Sequence, residues 1–427
     1  MKNRFKGNSL LSGIFYMGFG TVIAQMINVL IQPVLTRIVP AETLGIYTFI
    51  VSMANIVIPI ASLKLEMLVV SETDDTEAQF ITDVCIWINL IISVTYFVII
   101  LIGYNIPGLS TFNKYGVVVF LAPLLALTNG IRFLFISYNN RYKKYKLITG
   151  VAIIREAVRA IIQVVSGLLS FGVIGQAMGY ALSPVVGLHL QAKEYLKRRK
   201  KRSKLTIDKA KEIVLKKGKG QIIYLVPGQF INSFSNSFVT ISITTLFSAT
   251  VLGHYSTGVR LLEIPILFIT SNVNKVCYQR FSENVANSRP LTKTLFSLIA
   301  VLSAISFGGF GLLYFIAPRL SEIVFGQGYY IAGVYIKHLC LMYAIRLVAT
   351  SFNGIFTIFG KQKYELGLNV ALIIVAVIAY GFVSFLGLDI EAYLNIIGFG
   401  YAAVYAVLLV GYCVICKKFD RSLVLTQ

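Results

Sequence analysis

The sequence predicts an all-α integral membrane protein with twelve transmembrane helices, arranged as two pseudo-symmetric lobes of six helices each. Three observations predict this fold: a mean hydropathy of +0.76 with 56% hydrophobic residues, a one-sided distribution of Lys and Arg, and an internal repeat. Such a composition is too apolar for a soluble domain of 427 residues. The net charge of +21 follows the ends of the hydrophobic runs, so it indicates membrane topology and predicts no nucleic-acid partner.

Twelve hydrophobic runs are long enough to cross a hydrocarbon core, which takes roughly 20 helical residues. They cover residues 10–35, 44–63, 81–103, 116–136, 149–170, 173–190, 220–247, 251–274, 294–317, 331–358, 366–387 and 392–415. The tails and loops on one side of these runs carry 30 of the 39 Lys and Arg residues, and the opposite loops carry three. Cytoplasmic loops are enriched in Lys and Arg, which predicts that both termini lie in the cytoplasm.

One long basic connection, residues 191–219, divides the runs six and six. This division predicts an N-terminal lobe at 1–190 and a C-terminal lobe at 220–427, joined by the cytoplasmic linker. The second part of the linker is either an amphipathic helix on anionic lipid or a solvated segment.

The two lobes are related by sequence. With an offset of 208, residues 20–66 match residues 228–274 at 11 of 47 positions, and the best stretch pairs LGIYT with LGHYS. KYKL and KYEL likewise open the fifth and eleventh runs. Because each copy has an even number of helices, both copies face the same way across the membrane. Transporters with parallel repeats bind substrate near the midplane between the halves and alternate access by rocking.

Polar side chains form matching stripes on four of the predicted helices. The first and seventh helices carry Thr21, Gln25, Asn28, Gln32 and Thr36, and Gln229, Ser233, Asn236, Thr240 and Thr244. The second and eighth helices carry Thr48, Ser52, Asn55, Ser62 and Glu66, and Ser256, Arg260, Glu263, Thr270 and Asn274. In lipid such groups must meet each other or water, so they form interhelical hydrogen bonds or line a wet cavity. Their repetition at matching positions favours the cavity.

Charged residues within the runs further support a cavity, because ionisable groups at membrane depth are costly and usually face a cavity or a partner. They are Arg132, Arg155, Glu156, Arg159, Arg260, Glu263, Lys337 and Arg346. Glu156 with Arg159, and Arg260 with Glu263, also have the spacing of simple helical ion pairs. Arg132 and Lys337 lie near the ends of their runs and could reach the interface instead.

With six cations and two acids, we expect a cavity with a net positive charge. Such a cavity suits a lipid-linked phosphate or pyrophosphate, because the planar guanidinium group of Arg binds two phosphate oxygens at once. Amides and hydroxyls beside it would bind sugar hydroxyls. The predicted substrate-binding residues are Arg260, Arg155, Arg159, Arg346, Gln25, Asn28, Gln32, Asn55, Asn236 and Glu263. A buried carboxylate has a tunable proton affinity, so Glu263 and Glu156 are the candidates for ion coupling.

The sequence gives no sign of an enzyme. It lacks a phosphate-cradling loop of the G-x-x-x-x-G-K-[ST] type, and its three histidines lack metal-ligand spacing. The predicted outward loops are short. We therefore expect no catalytic residues, no cofactor and no metal site.

Several stretches resemble one membrane protein family. They are PVLTRIVPAETLGIYTFIVS (33–52), SLKLEMLVVSETDDTEA (62–78), NNRYKKYKL (139–147), GHYSTGVRLLEIPI (253–266) and FGQGYYIAG (325–333). In their order and spacing, over about residues 8–415, these are similar to the Wzx-type polysaccharide biosynthesis flippases of the multidrug/oligosaccharidyl-lipid/polysaccharide (MOP) exporter superfamily. The chain departs from the family pattern at Lys64 and Leu65, where Arg and Tyr are usual.

The resemblance implies two six-helix lobes in a MATE-like V-shaped bundle, with helices 1, 2, 7 and 8 lining the cleft. It also implies a function, moving undecaprenyl-pyrophosphate-linked oligosaccharides to the outer leaflet of the bacterial cytoplasmic membrane for O-antigen, capsule or exopolysaccharide synthesis. Membrane lipid and the polymerase and glycosyltransferases of the same pathway are the implied partners. The family's cationic lumen maps onto Arg260 first, and then onto Arg155, Arg159 and Arg346.

Three alternatives remain open at this stage. A multidrug exporter of the same superfamily would favour cationic drugs, which a positive cleft repels. A membrane polysaccharide polymerase or ligase needs a large outward loop. A lipid scramblase or a scaffold is the remaining class.

Overall fold

The structure, a computed structural model, describes residues 20, 22–106, 115–199, 206–361 and 363–425, and these residues contain helices and connecting turns without any β-strand. The N-terminal helices are α1 (Val22–Ile38), α2 (Ala41–Val57), α3 (Glu66–Ser71), α4 (Asp75–Asn105), α5 (Leu121–Arg141), α6 (Tyr145–Leu168), α7 (Gly172–Leu182), α8 (Leu188–Arg199), α9 (Ile207–Glu212) and α10 (Val226–Leu246). The C-terminal helices are α11 (Ala249–Ala286), α12 (Thr292–Phe325), α13 (Tyr330–Lys337), α14 (Cys340–Thr350), α15 (Gly354–Ile358), α16 (Lys363–Leu386) and α17 (Ile390–Leu425). The predicted all-α membrane fold is confirmed at this level.

Within the described residues, eight helical segments are long and apolar enough to cross a membrane. They correspond to α2, α4, α5, α7 with α8, α12, α14 with α15, α16, and α17. The other four predicted runs correspond to α1, α6, α10 and α11, which carry three of the four polar stripes and five of the eight charges within the runs. Polar side chains lower the hydropathy of these four helices, and the count of twelve spans stays a prediction.

Helix positions follow the internal repeat. Helices α2 and α11 begin at Ala41 and Ala249, which are separated by the offset of 208 seen in the sequence. Helices α6 and α16, which the KYKL and KYEL motifs open, are both 24 residues long. The local structure of the two copies therefore repeats where the sequence does.

The chain forms two compact units, unit 1 at Met1–Thr245 and unit 2 at Leu246–Gln427. The division falls after the linker and α10, whereas the sequence placed the second lobe at 220–427. The described part of the linker belongs to unit 1 because it packs there: Ile213 is fully buried in a core cluster with Leu65, Ile81 and Tyr138. Residues 206–208 and 215–217 of this part are exposed, so the choice between a helix on anionic lipid and a solvated segment stays a prediction.

The polar stripe predicted on the second helix is broken in the structure. Helix α2 ends at Val57, and Leu63 and Lys64 adopt positive φ angles of 50° and 59° before α3 starts at Glu66. Two successive left-handed residues interrupt the helix, because no α-helix continues through that backbone region. Glu66 therefore does not extend the face that carries Asn55, and that part of the prediction is wrong.

Equivalent helices of the two units are capped differently. In unit 1, the side chain of Asp74 accepts hydrogen bonds from Thr76 N and Glu77 N and so caps its own helix, α4. In unit 2, Asp420 of α17 accepts from Leu291 N and Thr292 N, at 2.7 and 2.9 Å, and caps α12 from a distant part of the chain. Either carboxylate satisfies amide groups that a helix start leaves without partners.

Candidate functional site

The first candidate site is an arginine cluster in unit 1, made by Arg132 on α5 and by Arg155 and Arg159 on α6. Glu156 lies within it and pairs with Arg155, while Arg159 Nη2 lies 2.7 Å from Glu156 Oε2. The Glu156 side chain is only 8% exposed, and those of Arg155 and Arg159 are 17% and 13% exposed. The ion pair anticipated between Glu156 and Arg159 is thus present, and one carboxylate serves two guanidinium groups.

Arg132 joins the cluster from the middle of α5. It interacts electrostatically with Arg155, Glu156 and Arg159, and its Nε atom is buried without a hydrogen-bond partner. Because α5 continues as far as Arg141, Arg132 is not at a helix end. The alternative in which this side chain merely reaches the interface is therefore not supported.

Two tyrosines complete the cluster. The Arg159 guanidinium carbon lies 5.7 Å from the centre of the Tyr180 ring of α7, and Tyr180 interacts electrostatically with Tyr47 of α2 and with Arg132. A cation near an aromatic face is stabilised by the ring quadrupole. Neither tyrosine was predicted, since tyrosine in an apolar run has the pattern of an ordinary packing residue.

The cluster holds three arginines and one glutamate, so its formal charge is positive. The Nε atoms of Arg132 and Arg155 are both buried and have no hydrogen-bond partner. A buried donor left unpaired is costly, and a bound anion or water removes that cost. Guanidinium groups bind phosphate oxygens in pairs. The arrangement can therefore hold a phosphate-type anion.

A glutamine pair holds α6 against α7 next to the arginines. Gln176 Nε2 donates to the Gln163 backbone oxygen at 2.9 Å, and Gln163 Nε2 donates to the Gln176 oxygen at 3.3 Å. Gln176 also donates to Ser166 Oγ at 3.3 Å, and all three side chains are buried. These hydrogen bonds join α6 to α7 and so fix the helix that carries Arg155 and Arg159.

The second candidate site is a tyrosine cluster in unit 2, built around Arg346 of α14. Arg346 interacts electrostatically with Glu263 of α11 and with Tyr255, Tyr343 and Tyr405, and its guanidinium carbon lies 5.3 Å from the centre of the Tyr343 ring. The structure therefore brings together Arg346 and Glu263, which the sequence had placed on separate helices.

Two buried polar atoms in the tyrosine cluster lack hydrogen-bond partners, namely Arg346 Nε and the Tyr401 hydroxyl. Tyr401 interacts electrostatically with Arg346, so the two groups are neighbours. Within the described residues, Glu263 makes no direct ion pair, which distinguishes it from Glu156. Arg260 is half-buried one turn before Glu263 on α11.

The predicted polar stripes have mixed environments. Gln32 is buried and Gln25 and Asn28 are half-buried on α1, whereas Asn55 on α2 and Asn236 on α10 are exposed. Several of these side chains form hydrogen bonds within their own helix. Gln32 Nε2 donates to the backbone oxygen of Asn28 at 3.4 Å, and Asn236 Nδ2 donates to the backbone oxygen of Asn232 at 2.9 Å. Thr21 lies outside the described residues. An exposed amide in the middle of a membrane span agrees better with a wet surface than with a closed bundle.

A cavity of about 80 Å³ lies at the turn between α2 and α3 in unit 1. It is lined by Ser62, Lys64 and Glu66, and one Glu66 carboxylate oxygen is buried without a partner. Burial raises the pKa of Glu66 above its ordinary value. No group of three or more His, Cys, Asp or Glu side chains among the described residues has the arrangement of a metal site.

Comparison with solved structures shows that the chain shares its fold with proteins of the MOP superfamily. It is similar to the inward-facing structure of a multidrug resistance MATE family transporter of the MOP superfamily, with a TM-score of 0.67 at 17% identity over 93% of this chain and 96% of that one. It is also similar to a MOP superfamily transporter from Pyrococcus furiosus, with a TM-score of 0.56 at 14% identity over 96% of both chains. At these identities the similarity establishes the fold.

Sequence comparison gives the family. The chain is 22% identical over 300 residues to an "Uncharacterized membrane protein in cps region" of Klebsiella pneumoniae, a match that covers 68% of this chain and 59% of the Klebsiella protein. A family model described as "Polysaccharide biosynthesis protein" matches residues 34–332. The resemblance drawn from the sequence motifs is thereby confirmed. This chain is a multi-pass membrane protein with the MOP transporter fold, and it belongs to the polysaccharide biosynthesis protein family.

Proposed function

We propose that this protein is a flippase that moves an undecaprenyl-pyrophosphate-linked oligosaccharide from the cytoplasmic to the outer leaflet of the bacterial cytoplasmic membrane, for surface polysaccharide synthesis. Both chain termini lie in the cytoplasm in this proposal. The family and the transporter fold support a flippase rather than a catalytic enzyme. The lipid-linked substrate rests on the chemistry of the arginine cluster.

The main support for this substrate is the excess of buried positive charge in unit 1. Three arginines accompany one glutamate, and two of their Nε donors lack partners. Burying charge away from water is costly unless a counter-charge is supplied, so this cluster favours an anionic ligand. A pyrophosphate supplies both the charge and the paired oxygens that guanidinium groups bind. A cationic drug would be repelled by the same field.

Further support comes from polar groups outside the arginine cluster. Asn55 and Asn236 present exposed amides on membrane helices, and Arg346 and Arg260 add cations in unit 2. Amide groups both donate and accept hydrogen bonds, as sugar hydroxyls require. In the proposal, Gln25, Asn28, Gln32, Asn55 and Asn236 bind sugar, and the arginine cluster, with Arg132, Arg155 and Arg159, binds the pyrophosphate. Arg260 and Arg346 are the candidate anion-binding residues of unit 2. Glu263 is the preferred ion-coupling residue, because both Glu156 oxygens face arginines.

The test is leaflet-resolved measurement of lipid-linked glycan in cells that depend on this protein. We expect Arg132→Ala combined with Arg155→Ala to leave the glycan on the cytoplasmic face and to reduce surface polysaccharide. Arg319→Ala, which removes an exposed arginine of α12, is the matched control and should export normally. Protein amount in the membrane is measured for each variant.

Because Ala variants can fold poorly, Arg155→Lys provides a second measurement. Lysine keeps the charge and loses the planar fork, so we expect normal expression with reduced transport. Full export of surface polysaccharide by the double Ala variant, at normal expression, would contradict the proposal. Normal glycan translocation together with drug sensitivity in depleted cells would instead identify a multidrug exporter.

A further inference from the structure

A groove in unit 1 lies apart from both candidate sites, between α4 and the described part of the linker. We name it the linker groove. Its volume is about 470 Å³, within the range of about 300–1,000 Å³ that small-molecule clefts occupy. One wall includes Trp87, Ile88 and Ile91 of α4, and the other includes Ala210, Lys211 and Val214 of the linker.

The sequence builds each wall from one helix face. The α4 residues recur at the three- and four-residue spacing of a helical stripe, as do the linker residues. Thr206 caps α9 by accepting a hydrogen bond from Lys209 N, and a wide π turn continues the helix over Ile213–Lys217. The helix cap and the π turn thus give the linker wall a defined helical structure.

Ion pairs and burial then anchor the linker wall to unit 1. Lys209 Nζ lies 3.0 Å from Glu77, and Lys217 Nζ lies 3.0 Å from Glu72 and 2.9 Å from Glu77. Ile213 is buried in the core on the other side of this segment. The groove is therefore a fixed surface rather than a gap beside a loose linker.

The chemistry of the groove has two parts. Its floor is apolar and open: Trp87 is 58% exposed, and Ile91 is 60% exposed. The same stripe of α4 continues through Val94 and Val98, both exposed, along a helix apolar enough to cross a membrane. The groove is thus continuous with an exposed apolar strip on a helix that is long and apolar enough to cross a membrane.

The second part is positive charge at the linker wall. Lys211 is the charged residue that lines the groove, and its side chain is exposed. Lys209 and Lys217 of the same segment form ion pairs with glutamates, whereas Lys211 has no acidic partner within the described residues. An apolar slot beside an available ammonium group matches a molecule with a hydrocarbon chain and an anionic head.

We propose that the linker groove binds an anionic phospholipid of the bilayer, with an acyl chain along Trp87 and Ile91 and the phosphate at Lys211. The predicted cytoplasmic position of the linker agrees with this ligand, because anionic lipids attract basic segments at that membrane surface. Zwitterionic lipid offers the same chain without net charge. The inference does not depend on the transported substrate.

Trp87 makes the test direct, because it is the single tryptophan of the chain. The purified full-length protein is reconstituted in vesicles in which either phosphatidylglycerol or phosphatidylcholine carries brominated acyl chains, at equal mole fractions. Bromine quenches tryptophan fluorescence at short range. We expect stronger quenching by the anionic lipid, corresponding to a preference of about fivefold for one ammonium–phosphate contact.

The matched variants are Lys211→Glu and Lys216→Glu, which change the same charge on neighbouring turns of the linker. Lys216 is exposed but does not line the groove. We expect Lys211→Glu to abolish the preference for the anionic lipid and Lys216→Glu to retain it. Ala210→Phe narrows the groove and should reduce quenching by both lipids.

Three results would overturn the inference. Equal quenching by both lipids means that Trp87 faces only bulk hydrocarbon. Equal effects of the two Glu variants mean a general surface-charge effect. Recovery of fluorescence on adding undecaprenyl phosphate, but not on adding unbrominated phosphatidylglycerol, assigns the groove to a polyprenyl chain instead.

Discussion

The arginine cluster of unit 1 and the tyrosine cluster of unit 2 each contain one of two equivalent tyrosines. Tyr47 and Tyr255 are separated by the repeat offset of 208, and each lies near the start of its helix. Tyr47 adjoins Tyr180 in the arginine cluster, and Tyr255 interacts electrostatically with Arg346 and Glu263 in the tyrosine cluster. Duplication thus preserved an aromatic position beside buried positive charge in both units.

The source of that charge differs between the units. Arg260 and Glu263 of α11 correspond by the same offset to Ser52 and Asn55 of α2. In unit 1, the charges instead come from α5 and α6. Arg132 of α5 and Arg346 of α14 lie on the fourth run of their respective halves, so the duplicated fold keeps a cation there. The remaining charges come from α6 in unit 1 and from α11 in unit 2.

The two glutamates also differ. Glu156 contacts two arginines directly, whereas Glu263 lies among tyrosines and interacts with Arg346 at longer range. A carboxylate that neutralises two buried cations is needed for stability, while one without a direct partner is freer to exchange a proton or bind an ion. The first prediction separates these roles.

Removing the glutamates should give the largest difference between the units. We expect Glu156→Gln to destabilise the protein by about 3–5 kcal/mol, because it leaves two buried guanidinium groups without a counter-charge. Glu263→Gln should cost about 1 kcal/mol, a typical value for a single substitution. The measurement is the free energy of unfolding of each purified variant in the same detergent. Equal losses would remove the distinction between the two clusters.

Replacing arginine by lysine should have a smaller effect, on transport. Arg132→Lys keeps the charge of the arginine cluster but loses donors to the anion, and we expect transport to fall about 10- to 100-fold. Arg346→Lys, which mainly alters contacts with tyrosine rings, should lower it about threefold. Both are measured as initial rates in vesicles at matched protein amounts. A larger loss for Arg346→Lys would shift the anion site to unit 2.

The capping carboxylates offer a third comparison. Asp74→Ala and Asp420→Ala each remove a helix cap, at a cost of about 1–2 kcal/mol. We expect Asp420→Ala to be the more costly, since it also releases α17 from α12. Hydrogen exchange of the α17 amides provides the specific readout. Unchanged exchange in α17 would show that the contact between these helices does not depend on Asp420.

The smallest expected effect is a pH dependence that belongs to unit 1. Lys217 donates a hydrogen bond to Glu72 and holds the pKa of that carboxyl below its ordinary value. A lowered folded-state pKa contributes stability above the ordinary pKa, and this contribution is lost as the pH falls through the folded-state value. The partly exposed pair contributes less than about 1 kcal/mol.

Glu72→Gln removes this contribution. The variant should melt slightly below the unsubstituted protein at pH 7, and the difference should be smaller at pH 3, where more of the Glu72 carboxyl is protonated. Melting curves of both proteins at the two pH values are the measurement. A difference of the same size at pH 3 would mean that Glu72 acts through packing rather than charge.

Much of the helical framework follows from sequence patterns. Helices α2 and α11 begin at Ala41 and Ala249, within three residues of the predicted runs 44–63 and 251–274, and their starts are separated by the repeat offset. Buried charges on α6 were recognised because ionisable residues in a hydrophobic run are conspicuous. The pairing of Glu156 with Arg159 needs only helix geometry.

Tertiary structure decided which side chains of different helices meet. Arg132 and Tyr180 join the arginine cluster through packing of α5 and α7 on α6, and no spacing along one helix reveals such contacts. The sequence likewise extended the α2 stripe to Glu66, whereas the backbone at Leu63 and Lys64 ends it.

The sequence by itself determined the membrane class, the repeat and the chemical types of the buried groups, since these depend on composition and on periodicity along single helices. Only the tertiary structure decided that Ile213 ties the linker to unit 1, that Glu156 is buried between two arginines, and that Glu263 lies among tyrosines. The physical reason is that burial and electrostatic partners are properties of three-dimensional neighbours. Two residues with the same sequence pattern can therefore end in different environments.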